Sequence, residues 1–127
     1  MWAGGAMHTK FDELGRFADP SVLILTSLAD GPKHGYAIMT DVAEFSGVTM
    51  EPGTLYGGLA RLERQGWITP MAAEARRRPY QITAAGQSVL ARQLQSMRDI
   101  ARVGQGRTRS ARSPRATPAG RPRTASA

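Results

Sequence analysis

The chain contains 127 residues, of which 17 are Lys or Arg and 10 are Asp or Glu, so its formal net charge is +7. This excess is uneven, because residues 1–103 hold 11 basic and 10 acidic side chains, whereas residues 104–127 hold six arginines and no acid. The absence of cysteine excludes disulfides and thiolate metal sites, and no apolar run is long enough for a membrane span.

Residues 1–18 are predicted to form a mobile, amphipathic leader without the basic-then-apolar pattern of a signal peptide. Its large apolar residues recur at intervals of three: Phe11, Leu14 and Phe17. These side chains either contact a partner surface or belong to a frayed segment that packs weakly. The leader therefore gives no reason to expect any location other than the cytoplasm.

Two helices are predicted to follow. The first begins with Asp19 and Pro20. An aspartate before a helix accepts a hydrogen bond from a backbone N–H of the first turn, and proline suits the first helical position because an N–H there would have no partner. It is apolar on nearly all sides, which predicts the centre of the core, and it ends before Gly31 and Pro32, in the linker ADGPK. The second begins near His34 or Gly35 and ends at Gly47. It is expected to direct five apolar residues toward the core: Tyr36, Ile38, Met39, Val42 and Phe45.

A third helix is predicted from Pro52 to about Gln65, after a turn of sequence GVTMEP. One stripe carries Leu55, Leu59 and Leu62 and is expected to be buried. The opposite face is small and basic: Gly53, Gly57, Ala60, Arg61 and Arg64. Two short helices joined by such a turn, the second with such a face, are typical of a helix-turn-helix.

The outer face of this third helix indicates contact with a polyanion. Gly57 and Gly58 each cost about 1 kcal/mol relative to alanine, so either a phosphate strand approaches the backbone there or another helix packs against it. Arg61 is the candidate for a base edge, because a guanidinium bonds guanine at two atoms. Arg64 is the candidate for a phosphate. The alternative is that both arginines are solvated surface charges.

Residues 67–69 and 80–83 are predicted to be the two strands of a wing, because β-branched and aromatic residues cluster there. A lone hairpin is marginally stable, so Ile68 and Ile82 are expected to pack on the helices. The connecting loop carries three consecutive arginines: Arg76, Arg77 and Arg78. The loop of a winged helix contacts the DNA backbone or the minor groove, although an arginine run is more commonly a solvated surface.

A last helix is predicted over residues 84–103, capped by Thr83. Some of its apolar residues alternate at intervals of four and three like a coiled-coil seam: Leu90, Leu94, Met97 and Ala101. This helix is expected to dimerise the protein through the seam, the alternative being packing on the first helix. With Phe11 and Phe17, the seam is expected either to line a pocket for a small hydrophobic effector or to form a dry interface.

Residues 104–127 consist mainly of Arg, Ser, Thr, Pro, Ala and Gly, without a large apolar residue. They are predicted to be disordered, because they bury too little apolar surface to offset chain entropy. Their charges either attract phosphates non-specifically or act only to keep the protein soluble. The predicted organisation is a leader (1–18), a winged helix-turn-helix domain (19–83), a dimerisation helix (84–103) and an Arg-rich tail (104–127).

No catalytic constellation is recognisable. His8 and His34 are far apart in sequence, no close spacing of carboxylates suits a metal, and no glycine-rich phosphate loop follows a strand. We therefore expect no enzyme activity, no metal site and no cofactor.

Three linked motifs between Leu23 and Gly86 resemble those of a known family. They read LILTSLADGPKHGYAIM, PGTLYGGLARLERQGWI and RRRPYQITAAG. In this order and at these separations they closely resemble the PadR family of bacterial transcriptional regulators. The resemblance implies a mainly α fold with a small β-hairpin, in which a winged helix-turn-helix precedes a C-terminal dimerisation helix.

The resemblance also implies a function. Family members usually act as homodimers that repress a nearby promoter and often release DNA when a small hydrophobic ligand binds. Their HGY and TLY elements imply that His34, Tyr36, Thr54 and Tyr56 contact DNA. We expect a cytoplasmic, nucleoid-associated repressor that binds a pseudo-palindromic operator in double-stranded DNA. The alternative is a non-specific nucleic-acid-binding or architectural protein whose affinity comes from the basic tail.

Overall fold

The computed structural model describes residues 19–73 and 75–112. These residues form four helices and a two-stranded antiparallel sheet: α1 (Pro20–Leu28), α2 (Gly35–Ser46), α3 (Pro52–Arg64), β1 (Ile68–Pro70), β2 (Tyr80–Ile82) and α4 (Ala84–Arg112). The predicted mainly α fold with a small hairpin is confirmed. The leader, with Phe11 and Phe17, lies outside the described residues.

The helix ends follow the predicted local signals. Asp19 caps α1, and its Oδ1 accepts a hydrogen bond from the Ser21 backbone N–H at 2.9 Å. Gly47 and Gly66 follow α2 and α3 with φ of 76° and 79°, a left-handed conformation that glycine adopts without strain. The beginnings of α1 to α3 are confirmed, as are their ends to within a residue or two.

The core of the winged domain is built around α1, which contacts α2, α3 and β2. Ile68 and Ile82 face each other in register across the sheet and are buried, so the hairpin packs on the helices as predicted. The α3 stripe of leucines is also buried. The core residues are Val22, Leu23, Ile24, Leu25, Leu28, Ile38, Val42, Met50, Leu55, Leu59, Leu62, Ile68, Ile82 and Leu90.

Two residues of α2 that were expected in the core are exposed. Tyr36 is 71% exposed and Phe45 is 45% exposed, whereas Ile38 and Val42 are buried. The expectation was wrong because it followed composition rather than helical position. At about 100° per residue, Tyr36 lies roughly opposite the face that carries Ile38 and Val42.

A polar cluster joins the α1–α2 linker to its surroundings. The Lys33 ammonium donates hydrogen bonds to the Ser27 carbonyl and to Asp30, and it lies 3.9 Å from the Asp41 carboxylate. The buried Ser27 hydroxyl donates to Asp41 at 2.7 Å. The Lys33 backbone exchanges two hydrogen bonds with Tyr80 in β2, at 3.1 and 2.9 Å. The hydrogen bond and positive charge of Lys33 lower the pKa of the Asp30 carboxyl.

The final helix, α4, starts as predicted but ends later. The Thr83 hydroxyl accepts a hydrogen bond from the Gly86 N–H at 3.0 Å and donates one to the Gly66 carbonyl at 2.8 Å. The helix continues through residues 104–112, so the prediction of disorder for that segment is wrong. Arginine and alanine are good helix formers, and each added residue of a formed helix gains a backbone hydrogen bond. Residues 113–127 of the predicted tail lie outside the described residues.

The chain divides into two compact units between Ala91 and Arg92, within the length of α4. Leu90 lies in the core of the first unit. In the second unit Leu94 and Met97 are 38% and 48% exposed, and Ala101 is also exposed. Within the described ranges, no helix combines the length and apolarity that a membrane span requires.

Candidate nucleic-acid interface

The exposed face of α3 is small at its centre and basic at its end. Its outward residues are Gly53, Thr54, Tyr56, Gly57, Ala60, Arg61 and Arg64, all exposed. A Cβ at Gly57 would meet no atom within 4 Å, so the backbone at this glycine is open to a ligand. The two arginines lie in the last turn of the helix. This face therefore offers a flat surface for close approach beside two guanidinium groups.

The neighbouring glycine, Gly58, has a different role. It is buried, and a Cβ there would lie 2.8 Å from Cδ1 of Ile24 in α1. Of the two explanations for the glycine pair, helix packing therefore applies to Gly58. Close approach by a ligand stays open for Gly57.

The tyrosine of α3 rests on the first residue of α2. A Cβ at Gly35 would lie 2.6 Å from the Tyr56 hydroxyl oxygen, 3.0 Å from its Cζ and 3.2 Å from Cδ2 of Leu55. Glycine at this position therefore lets the phenol lie directly against the start of α2, while Tyr56 stays 54% exposed. The sequence placed Gly35 in the HGY element but predicted no structural or DNA-binding role for it. The contact spans 21 residues of chain, and no local pattern predicts it.

The wing reaches the same end of α2. Nη1 of Arg77 lies 3.2 Å from Nε2 of His34, and the two residues are 43 positions apart. In this contact the guanidinium donates and the imidazole accepts. An open pocket beside them is lined by His34, Ala75, Arg76 and Arg77. His34 precedes α2 at the N-cap position and makes no side-chain capping bond, so its ring is available to the wing.

Residues of α3 and of the wing loop thus meet the start of α2, at what we call the α2 cluster: His34, Tyr56, Arg76 and Arg77. The first backbone N–H groups of a helix lack intrahelical acceptors and carry the positive end of its dipole. Together with two guanidinium groups and a phenol hydroxyl, they form surroundings that favour an anion. Of the other predicted DNA contacts, Tyr36 and Arg78 are exposed outside this cluster, and Thr54, Arg61 and Arg64 belong to the α3 face.

The predicted effector residues that the structure describes fall in both compact units. Leu90 is buried in the core of the winged domain, whereas Leu94, Met97 and Ala101 are exposed on the second unit. Within the described parts of the chain, no group of three or more His, Asp or Glu side chains is arranged to hold a metal ion.

The fold and its exposed basic face define a winged helix-turn-helix DNA-binding regulator. The chain matches the transcriptional regulator PadR-like family over residues 24–92, which is more than half of its length. The chain belongs to the PadR-like family of transcriptional regulators, as the motifs predicted. Because this family consists of transcription regulators, the protein is not an enzyme, which also agrees with the sequence prediction.

Individual relatives support the same assignment. The chain is similar to a PadR family transcription regulator from Clostridium difficile R20291, with 27% identity, 68% of this chain and 95% of that one covered, and a TM-score of 0.63. It is also similar to a PadR family regulator from Eggerthella lenta DSM 2243, with 28% identity, 82% and 92% coverage and a TM-score of 0.64.

A further relative is a longer protein. An uncharacterized 37.1 kDa protein of transposon TN4556 from Streptomyces fradiae is 45% identical over 82 residues, which is 65% of this chain. The chain spans about a quarter of that relative's length, 24%.

Proposed function

We propose that the protein is a homodimeric repressor of a nearby promoter that binds a pseudo-palindromic operator in double-stranded DNA. The small, basic and exposed face of α3 is the observation that carries this proposal. Two copies of α3, related by a two-fold axis, enter successive major grooves about 34 Å apart. Operator binding places the protein on the nucleoid, in the cytoplasm.

In this proposal the α3 face reads bases and fixes the register. Arg61 donates two hydrogen bonds to a guanine in the major groove, while Arg64 and Thr54 bind phosphates. Gly57 leaves the α3 backbone open to the groove wall, since its surroundings contain no atom that a methyl group would meet.

The α2 cluster binds the DNA backbone. Tyr56 and Arg77 meet one phosphate at the start of α2, with His34 orienting the guanidinium through its 3.2 Å contact. The other exposed residues of the same region add backbone contacts: Tyr36, Arg76 and Arg78. The base contact of Arg61 therefore supplies sequence preference, whereas the phosphate contacts of the α2 cluster supply affinity.

The test is binding of the full chain to its own upstream DNA and to scrambled DNA at near-physiological salt. A preference of about 1000-fold or more is expected for a sequence-specific regulator. Arg61→Ala is expected to reduce this preference by about 1–3 kcal/mol, whereas Arg77→Ala weakens both DNAs alike. Arg92→Ala, which removes the same charge outside the interface, serves as the control. Equal discrimination by wild type and Arg61→Ala would remove the base-reading role.

The alternative, non-specific binding driven by the Arg-rich C-terminal segment, makes a different prediction in the same assay. Both DNAs would bind equally, and truncation after Val103 would abolish binding. A promoter preference that survives this truncation contradicts the alternative.

Dimerisation through α4 is the second part of the proposal. The exposed Leu94, Met97 and Ala101 lie on one stripe of the helix and form the seam between two copies. Met97→Glu is expected to produce monomers in sedimentation equilibrium, whereas Ser96→Glu, about 100° around the helix, leaves the dimer intact. Dimers of unchanged stability in Met97→Glu would show that the seam lies elsewhere.

Release by a small hydrophobic ligand completes the proposed switch. The ligand occupies a pocket at the dimer seam, formed by Leu94 and Met97 together with Phe11 and Phe17 of the leader, and shifts the two DNA-binding heads relative to each other. A panel of phenolic and hydrophobic cationic compounds, screened by thermal shift and then by loss of operator binding, tests this. Absence of any shift across the panel favours a dry interface without a ligand.

A further inference from the structure

The last part of α4 is a helix without an apolar face. Residues 104–112 contain three arginines, no acid and no large apolar side chain, yet they continue the helix to Arg112. From Arg92 to Arg112 there are six arginines against a single acid, Asp99. This helix therefore presents a continuous cationic surface, which includes three arginines of the segment 104–112 that the sequence predicted to be disordered.

Four of these arginines share one face of the helix, which we call the basic stripe: Arg98, Arg102, Arg109 and Arg112. At about 100° per residue they fall within an arc of about 80°, and all four are exposed. The apolar seam of Leu94, Met97 and Ala101 occupies the adjoining arc. Arg92 and Arg107 lie outside both arcs.

The dimensions of the basic stripe suit a phosphate strand. From Arg98 to Arg112 the helix rises about 21 Å, at about 1.5 Å per residue. One strand of duplex DNA presents a phosphate about every 3.4 Å along its axis, so this length faces roughly six phosphates. Asp99 forms an ion pair with Arg102 at 3.0 Å, at one edge of the stripe. The remaining arginines lie on the side away from that carboxylate.

We propose that the basic stripe binds the phosphate backbone of duplex DNA, as a second and sequence-independent contact beside the winged domain. This inference rests on the proposed DNA-binding function and adds a contact surface to it. Charge complementarity selects the partner, because five net positive charges between Arg92 and Arg112 face a polyanion that the same protein already binds.

A membrane surface fits the helix less well. Helices that bind membranes carry a large apolar face along the length of their basic face. Here the last large apolar residue is Val103, whereas the stripe continues to Arg109 and Arg112. A simpler role for these two arginines is to interact with the carbonyl end of the helix dipole.

The test compares two charge-matched double variants of the full chain. Arg98→Gln/Arg109→Gln removes two charges from the basic stripe, and Arg92→Gln/Arg107→Gln removes two from elsewhere on the same helix. Glutamine has nearly the helix propensity of arginine, so circular dichroism should show equal helicity in both. Binding to promoter and scrambled DNA is measured at several salt concentrations.

The stripe variant is expected to lose affinity for both DNAs by the same factor, about fivefold at 0.15 M salt for each lost contact, with a salt slope lower by about 0.9 per contact. The control variant should stay within about twofold of wild type. Equal losses of DNA affinity in the two variants would assign the effect to the net charge of the chain. No loss of affinity in either variant would leave only an interaction of the arginines with the end of the helix dipole. Both results overturn the proposal.

Two further outcomes separate the possible failures. If wild type does not prefer its promoter, the operator proposal fails, and the stripe is still judged from the two variants on scrambled DNA. Wild type that binds neither DNA overturns both. Vesicles of phosphatidylserine and phosphatidylcholine provide the membrane arm. Loss of vesicle binding in the stripe variant, with DNA binding unchanged, would reassign the surface to a membrane.

Discussion

Two helical glycines have opposite surroundings, so the same substitution is expected to have opposite effects on stability. Gly57 in α3 is exposed, and a Cβ there would meet nothing within 4 Å. Gly86, in the first turn of α4, is buried, and a Cβ there would lie 2.1 Å from the Trp67 carbonyl oxygen and 2.9 Å from Cγ1 of Ile82. Gly86 thereby allows α4 to pack directly on the chain that enters β1.

The magnitudes follow from these distances. Alanine stabilises a helix by about 1 kcal/mol relative to glycine, so Gly57→Ala should raise the free energy of unfolding by up to that amount. At Gly86 this gain is opposed by an overlap of more than 1 Å with a backbone carbonyl, which cannot rotate away as a side chain does. Overpacking of this kind costs about 1–3 kcal/mol or more, so the net effect of Gly86→Ala is destabilising.

Thermal and urea unfolding of the two variants measure this difference. For a domain of this size, 1 kcal/mol shifts Tm by about 4–8 °C, so Gly57→Ala should melt higher than wild type and Gly86→Ala lower. Gly58→Ala should fall between them, because its methyl group meets only the movable end of Ile24, at 2.8 Å. A Gly86→Ala protein as stable as wild type would refute the packing of α4 against the Trp67 carbonyl.

Three other predictions concern different parts of the molecule. Gly35→Ala should displace the Tyr56 ring. The loss of DNA-binding free energy, measured by fluorescence anisotropy, should therefore exceed the loss of unfolding free energy, measured by thermal unfolding. Lys33 lowers the pKa of Asp30 below its usual 3.8, so this carboxylate stabilises the fold above that value and stops doing so as the pH falls through the lowered pKa. The difference in Tm between wild type and Asp30→Asn should therefore shrink on acidification from pH 5 to pH 2, and a constant difference would contradict the ion pair. Leu59→Ala, at a buried core position, should cost about 2–5 kcal/mol in urea unfolding, and a loss below 1 kcal/mol would argue against the burial of this stripe.

Local features of the sequence were enough to predict where the helices of the winged domain begin and end. The Asp19–Pro20 start and the glycines that end α2 and α3 act through backbone groups within one turn of chain, so their effect is readable without knowledge of the fold. The buried leucine stripe of α3 was predictable for a similar reason, since helical periodicity places those side chains on one face wherever the helix packs. The three motifs, in their order along the chain and at their separations, were then enough to indicate the family.

Only the tertiary structure decided which residues meet at the start of α2. The contacts of Gly35 with Tyr56 and of His34 with Arg77 join residues 21 and 43 positions apart, and they depend on the angles at which helices and wing pack. The exposure of Tyr36 depended on which face of α2 meets α1, which an apolar residue type does not reveal. The helix through Arg112 was also not predicted. The composition of this segment is typical of disorder, but composition does not report the backbone hydrogen bonds that are gained when an existing helix is extended.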